Sequence, residues 1–183
     1  MSRAKSFSLP SRVLHWLMAA MILIMLFIGV FMASTVGPNY DRLVALHRPL
    51  GIAILALALL RLANRLRSPP PPLPEELPPT MKIGAKASHL LLYALMIAMP
   101  LVGWGMMSAG GYPILLWGRS MLLPPILPHD PTLWAWLRSV HTVLAFLLFG
   151  LVLAHIGAAM FHGFIRRDGV LQSMIFTQKS AKG

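Results

Sequence analysis

Residues 140–165 read VHTVLAFLLFGLVLAHIGAAMFHGFI, a run without one charged side chain. A helix rises about 1.5 Å per residue, so roughly 20 apolar residues cross the ~30 Å hydrocarbon core of a bilayer. The stretch therefore reads as a membrane span, yet it keeps three histidines. His141 and His155 stand 14 residues apart, close to four whole turns, so they share one helix face at about 21 Å separation. His162 follows after seven more residues, nearly two further turns, and is expected on that face about 10 Å deeper. Ionisable groups inside a membrane are costly and mark functional sites. A helix with imidazoles at two depths on one face calls for partners at both depths.

The rest of the chain supplies them. Of 183 residues, 57% are apolar and 11% charged, against about 25% charged in an ordinary soluble domain. Three more apolar runs, at about 13–33, 46–62 and 87–107, qualify as spans. The expected architecture is all-α: one integral membrane four-helix bundle over residues 1–183. The first run is too long for the 7–15-residue apolar core of a cleaved signal and is expected to be retained. The second is short, and Arg61 and Arg65 at its end are expected to snorkel to the interface. Pro100 should kink or break the third.

The charge pattern orients the bundle. Of sixteen Lys and Arg, twelve fall on one side: Arg3, Lys5, Arg12, Arg61, Arg65, Arg67, Lys82, Lys86, Arg166, Arg167, Lys179 and Lys182. Arg42, Arg48, Arg119 and Arg138 fall on the other. The positive-inside rule then places both termini in the cytoplasm. The net charge of +11 sits at span ends and points to anionic lipid, not nucleic acid. On the inner side, SPPPPLPEELPPT (68–80) should be an extended, stiff spacer. The outer connection, about 108–139, reads as a long loop whose Trp117, Trp134 and Trp136 suit an interface belt. VLQSMIF (170–176) reads as an interfacial segment.

Placed by depth, the histidines form two layers. His47 opens span two at the outer level, matching His141. His15 and His89 open spans one and three at the inner level, matching His155, and depth alone leaves both as its partner. His129 lies in the outer loop beside Asp130. Paired imidazoles from facing helices at two depths are what two stacked b-type haems require, since each iron takes one axial nitrogen from each of two helices. The absence of cysteine excludes thiolate sites and covalent c-type haem. Gly29 and Gly103 each follow an inner-level histidine by 14 residues, which puts a residue without a side chain at the outer level of spans one and three. A flat macrocycle needs such close approach, although glycine is also common at membrane helix contacts.

Arg12-x-x-His15-Trp16, His47-Arg48-x-x-Gly51, Arg61-x-x-x-Arg65, His89 with Pro100 and Gly103, and His141 with His155 together resemble the bacterial cytochrome b561 family of four-span dihaem membrane proteins. They also resemble the cytochrome b subunits of membrane hydrogenases and formate dehydrogenases. The resemblance spans nearly the whole chain and is nearest to the superoxide oxidase type. It implies two haem b, with His15 and His155 on the inner iron and His47 and His141 on the outer. It places His89 and His162 near the inner haem or a ubiquinone site in the bacterial inner membrane. Arg12, Arg61 and Arg65 at the inner level and Arg48 and Arg138 at the outer are candidates for haem propionates. The implied activity is electron movement across the membrane between a periplasmic donor, superoxide or a redox partner protein, and quinone. That would make the chain a superoxide:ubiquinone oxidoreductase or otherwise an electron carrier. The alternatives are an electron-transfer subunit for a partner dehydrogenase and a histidine-based metal or proton transporter. The near lack of intramembrane carboxylate and of an inverted repeat speaks against transport.

Overall fold

A computed structural model describes residues 6–116 and 121–175. Arg3, Lys5, Trp117, Arg119, Phe176, Lys179 and Lys182, used above for orientation and interface contacts, lie outside the described residues. Four long helices form: α1 (Leu9–Ser34), α2 (Pro38–Arg67), α3 (Pro79–Ala109) and α4 (Pro131–Met160). The last continues through a π-helical turn over Phe161–Arg166, and a short α5 (Val170–Ile175) ends the described chain. All four long helices are apolar and long enough to cross a membrane.

Each helix, α4 taken together with its π-turn, contains one expected span and starts before it, because caps rather than hydropathy set where it begins. Every one of the four has proline in its first turn, where the missing N–H is not needed and φ is already helical. Ser8 caps α1 by accepting from the Ser11 N–H. Asp130 caps α4 by accepting from the Thr132 and Leu133 N–H groups at 2.8 and 3.0 Å. The outer connection is correspondingly shorter than the expected loop. It holds a two-stranded antiparallel pair, β1 (Ile114–Leu116) with β2 (Met121–Leu123), in the register Ile114 opposite Leu123. Trp104 Nε1 donates to the Pro124 carbonyl at 3.0 Å, and Ser108 Oγ accepts from the Ile126 N–H, which fastens this loop over the end of α3. Contrary to the expected break, α3 stays helical through Pro100, as α2 does through Pro49. The proline-rich stretch is non-helical up to Pro78, with a turn at Glu75–Glu76.

The link from α1 to α2 is three residues, with Gly37 at φ +72°, so the two helices lie antiparallel side by side. α2 packs on α3, and α3 on α4. Among the described residues, α1 with α4 and α2 with α4 are not among the closely packed pairs. "Inner" denotes the end where the described chain starts and stops, with the Phe7 N–H donating to the Ser173 carbonyl at 3.1 Å; "outer" denotes the hairpin end. The buried core is Met18, Ile22, Ile54, Leu57, Ala58, Leu92, Met96 and Leu148. These residues lie about midway along their helices, between the two histidine levels. A smaller cluster, Met107, Ile114 and Leu116, seals the hairpin onto α3. The outward faces carry exposed Ile24, Phe27, Leu59, Leu60, Val143, Phe146 and Leu153, the apolar surface a bilayer would cover.

Candidate haem-binding site

At the outer level, His47 from α2 meets His141 from α4. Their ring centroids are 6.1 Å apart with planes at 69°. A Cβ built on Gly103 would come 3.2 Å from the His141 ring, so glycine at this position lets α3 sit against the imidazole. A Gly103→Val variant should therefore disturb the outer pair and leave the inner level untouched. Haem content of the purified protein, expected to fall in the variant, would check this. Gly29, by contrast, faces open space, with no atom within 4 Å of a built Cβ. Next to His47, Arg48 donates to the Pro113 carbonyl at 3.3 Å, which ties α2 to the hairpin.

At the inner level, His155 of α4 stands between two imidazoles. Its centroid is 6.2 Å from that of His15 on α1 and 5.7 Å from that of His89 on α3. Depth leaves these two partners open, and ring distance taken alone favours His89. Helix packing differs between the two. His89 reaches His155 across α3 and α4, which pack closely, whereas His15 reaches it across α1 and α4, which do not. The outer pair likewise bridges α2 and α4, a pair not packed closely.

These residues fit a metal bound between paired imidazoles. Nitrogen ligands bind first-row metals at about 2 Å, and centroids roughly 6 Å apart leave room for one such atom. The Nδ1 atoms of His15, His47 and His141 are buried and find no hydrogen-bond partner, a state that costs about 1–3 kcal/mol per group unless something else satisfies the ring. Among the described residues no cluster of three or more His, Asp or Glu could hold a bare ion. Two imidazoles at each level could hold the metal of a group that supplies its remaining ligands.

The cations are placed differently from the sequence expectation. Arg61 does not snorkel outward. It turns into the bundle, with its guanidinium 5.5 Å from the Tyr93 ring centroid and its Nη1 on Met18 Sδ. Arg65 sits over the same ring at 5.6 Å. Tyr93 was missed by the sequence reading, although its position four residues after His89 puts it on the same helix face. Arg12 is buried, and its Nη1 donates to the Ile175 carbonyl at 3.3 Å. Arg138 lies over Trp134 at 5.5 Å. His162 falls in the π-turn, where helix periodicity changes, so straight-helix arithmetic does not carry to it. Its Nδ1 is 2.6 Å from Asp168 Oδ2. His129 is exposed, beside Gly111.

A family model described as Prokaryotic cytochrome b561 matches residues 6–177. Cytochrome b561 homolog 2 of Escherichia coli (strain K12) is 31% identical over 176 residues, 94% of this chain and 93% of that protein. A protein of Yersinia pestis named "Probable superoxide oxidase CybB" is 27% identical over 164 residues, 88% of this chain and 91% of its own. Cytochrome b561 homolog 1 of the same E. coli strain is 28% identical over 133 residues, 73% of this chain and 74% of that protein.

Proposed function

This chain belongs to the prokaryotic cytochrome b561 family, and on that premise we propose that it is a dihaem b-type cytochrome that carries electrons across the bacterial inner membrane from a periplasmic donor to quinone. Membership makes it a membrane cytochrome b of electron transfer and implies haem b. The number of haems, their ligands and the direction are our reading. The observation that carries it is the pair of imidazole contacts, His15 with His155 and His47 with His141, each bridging helices that do not pack closely. The whole chain, 1–183, acts as one domain with both termini in the cytoplasm, as its basic residues favour.

Bound haem supplies reversible one-electron chemistry. The chain's own residues set where that chemistry happens. His15 and His155 hold the inner iron, and His47 and His141 the outer. Met18, Ile22, Ile54, Met96 and Leu148 keep water out of the space between. Arg61, with Arg65, offsets the propionate charge at the inner level. A cation there stabilises a reduced centre, which favours electrons arriving at the inner side. Arg12, whose Nη1 donates to the Ile175 carbonyl, is a further propionate partner at that level.

For the donor, the relative named as a probable superoxide oxidase makes superoxide the first choice. Arg48 and Arg138 at the outer end offer positive charge to an anion. The outer Asp130 is engaged in capping α4. Two superoxide ions would give up one electron each to become dioxygen, and one quinone would take both electrons with two protons to become quinol. The test is stopped-flow reduction of the purified protein by superoxide with a short-chain ubiquinone present. Quinol should form faster than in a protein-free control. Haem reduction no faster than spontaneous dismutation would exclude superoxide and leave the role of an electron-transfer subunit for a partner dehydrogenase.

A further inference from the structure

α5 is six residues long, too short to hold its own helical form, so its order must come from what it touches. At its end, three successive carbonyls that a helix leaves unpaired are each taken by the start of the chain. The Phe7 N–H donates to Ser173 at 3.1 Å, Trp16 Nε1 to Met174 at 3.1 Å, and Arg12 Nη1 to Ile175 at 3.3 Å. At its beginning, Asp168 Oδ1 accepts from the Val170 N–H at 3.3 Å, while Oδ2 lies 2.6 Å from His162 Nδ1 and 3.3 Å from Arg166 Nε. Arg167 at φ +53° and Gly169 at φ +81° turn the chain back beneath the bundle.

Trp16 also touches the inner ligand itself. Its ring meets His15 edge-on, with centroids 5.2 Å apart and planes at 66°. Arg12 lies one turn before His15 and is 8% exposed. The two residues that grip α5 thus flank His15 on its own turn. Trp16 is 48% exposed, and a half-exposed indole on a membrane helix is otherwise free to swing toward the headgroups. The bond to Met174 fixes the indole plane, and the indole edge then limits how the imidazole can rotate.

We propose that Arg12 and Trp16 are positioning residues that transmit docking of the C-terminal helix α5 to His15, so that α5 clamps the inner ligand from below. The inference rests on His15 being an inner axial ligand. It concerns the inner level alone, since the outer pair lies about 21 Å away along the bundle.

Two variants loosen α5 from opposite ends. Trp16→Phe removes the indole N–H and keeps an aromatic ring beside His15. Asp168→Ala removes the cap of α5 and leaves the Trp16 and His15 side chains themselves unchanged. Amide hydrogen exchange over residues 170–175 reads the docking. The low-temperature α-band and the midpoint potential of each haem in the purified protein read the ligand. Both variants should raise exchange over 170–175 about tenfold, the size of one lost hydrogen bond. Both should shift the inner component while leaving the outer in place. Faster exchange with both haem components unmoved would overturn the inference, as would unchanged exchange in Trp16→Phe whatever the haem content. A wild-type protein that purifies without haem would instead overturn the ligand reading. The clamp would then be judged on exchange at residues 12–16, expected to rise with that at 170–175 in Asp168→Ala, with no rise overturning it.

Discussion

A His141→Ala variant should purify with about half the haem of the wild type, having lost the outer haem and kept the inner. The outer level offers two imidazoles, His47 and His141, and their rings face one another at 6.1 Å. With His141 gone, the iron would keep a single protein ligand, and the described structure brings no second imidazole to His47. Gly103 packs on the His141 ring, so the deletion also opens the wall of the site. The inner level lies four turns away, beyond the apolar layer of Met18, Ile54, Met96 and Leu148, and should bind as before. Electron entry from the outer side should fall by at least about 100-fold, beyond the 10–100-fold typical of losing a mere outer-shell partner. Haem quantification and separate redox titration of the two components would check this. Equal loss of both haems would mean that the levels do not bind independently.

The second large effect separates two histidines that geometry brings to the same partner. His15→Ala should lose the inner haem and keep the outer, whereas His89→Ala should retain both. His89 is the nearer to His155 by centroid, 5.7 against 6.2 Å, so a distance argument alone would choose it. Helix packing favours His15. The helices that carry His89 and His155 pack closely, while those that carry His15 and His155 do not, and a macrocycle needs width between its ligand helices. The reverse outcome, with the inner haem lost in His89→Ala and kept in His15→Ala, would move the ligand to α3 and leave His15 as a neighbour.

The parts of this account that were legible in the sequence are those set by periodicity and hydropathy. Four apolar runs gave four helices, and multiples of 3.6 put His141 and His155 on one face at two depths. The outer pair reached by depth, and both inner partners that depth left open, appear as ring contacts. What stayed hidden was set by caps and by tertiary contact. Hydropathy marks only the apolar part of a helix, so the true starts at Pro38, Pro79 and Pro131 fell outside the expected spans. The proline in each first turn was a readable signal that the hydropathy reading passed over. The hairpin at 114–123 is too short for an alternation pattern to declare itself. Arg61 was expected at the surface because a cation at a span end usually snorkels. Its inward turn depends on Tyr93 and Met18, which lie on other helices. The π-turn that displaces His162 leaves no mark in the hydropathy pattern. The docking of α5 under α1 depends on contacts between residues more than a hundred positions apart, such as Trp16 with Met174.

The central claim is that one chain holds two haems between paired histidines at two levels. A dithionite-reduced minus oxidised spectrum of the membrane-purified protein, with haem extracted and quantified against protein, tests it most directly. The account predicts a b-type α band and about two haems per chain. A colourless protein, or one that saturates at about one haem per chain with both levels intact, would contradict it.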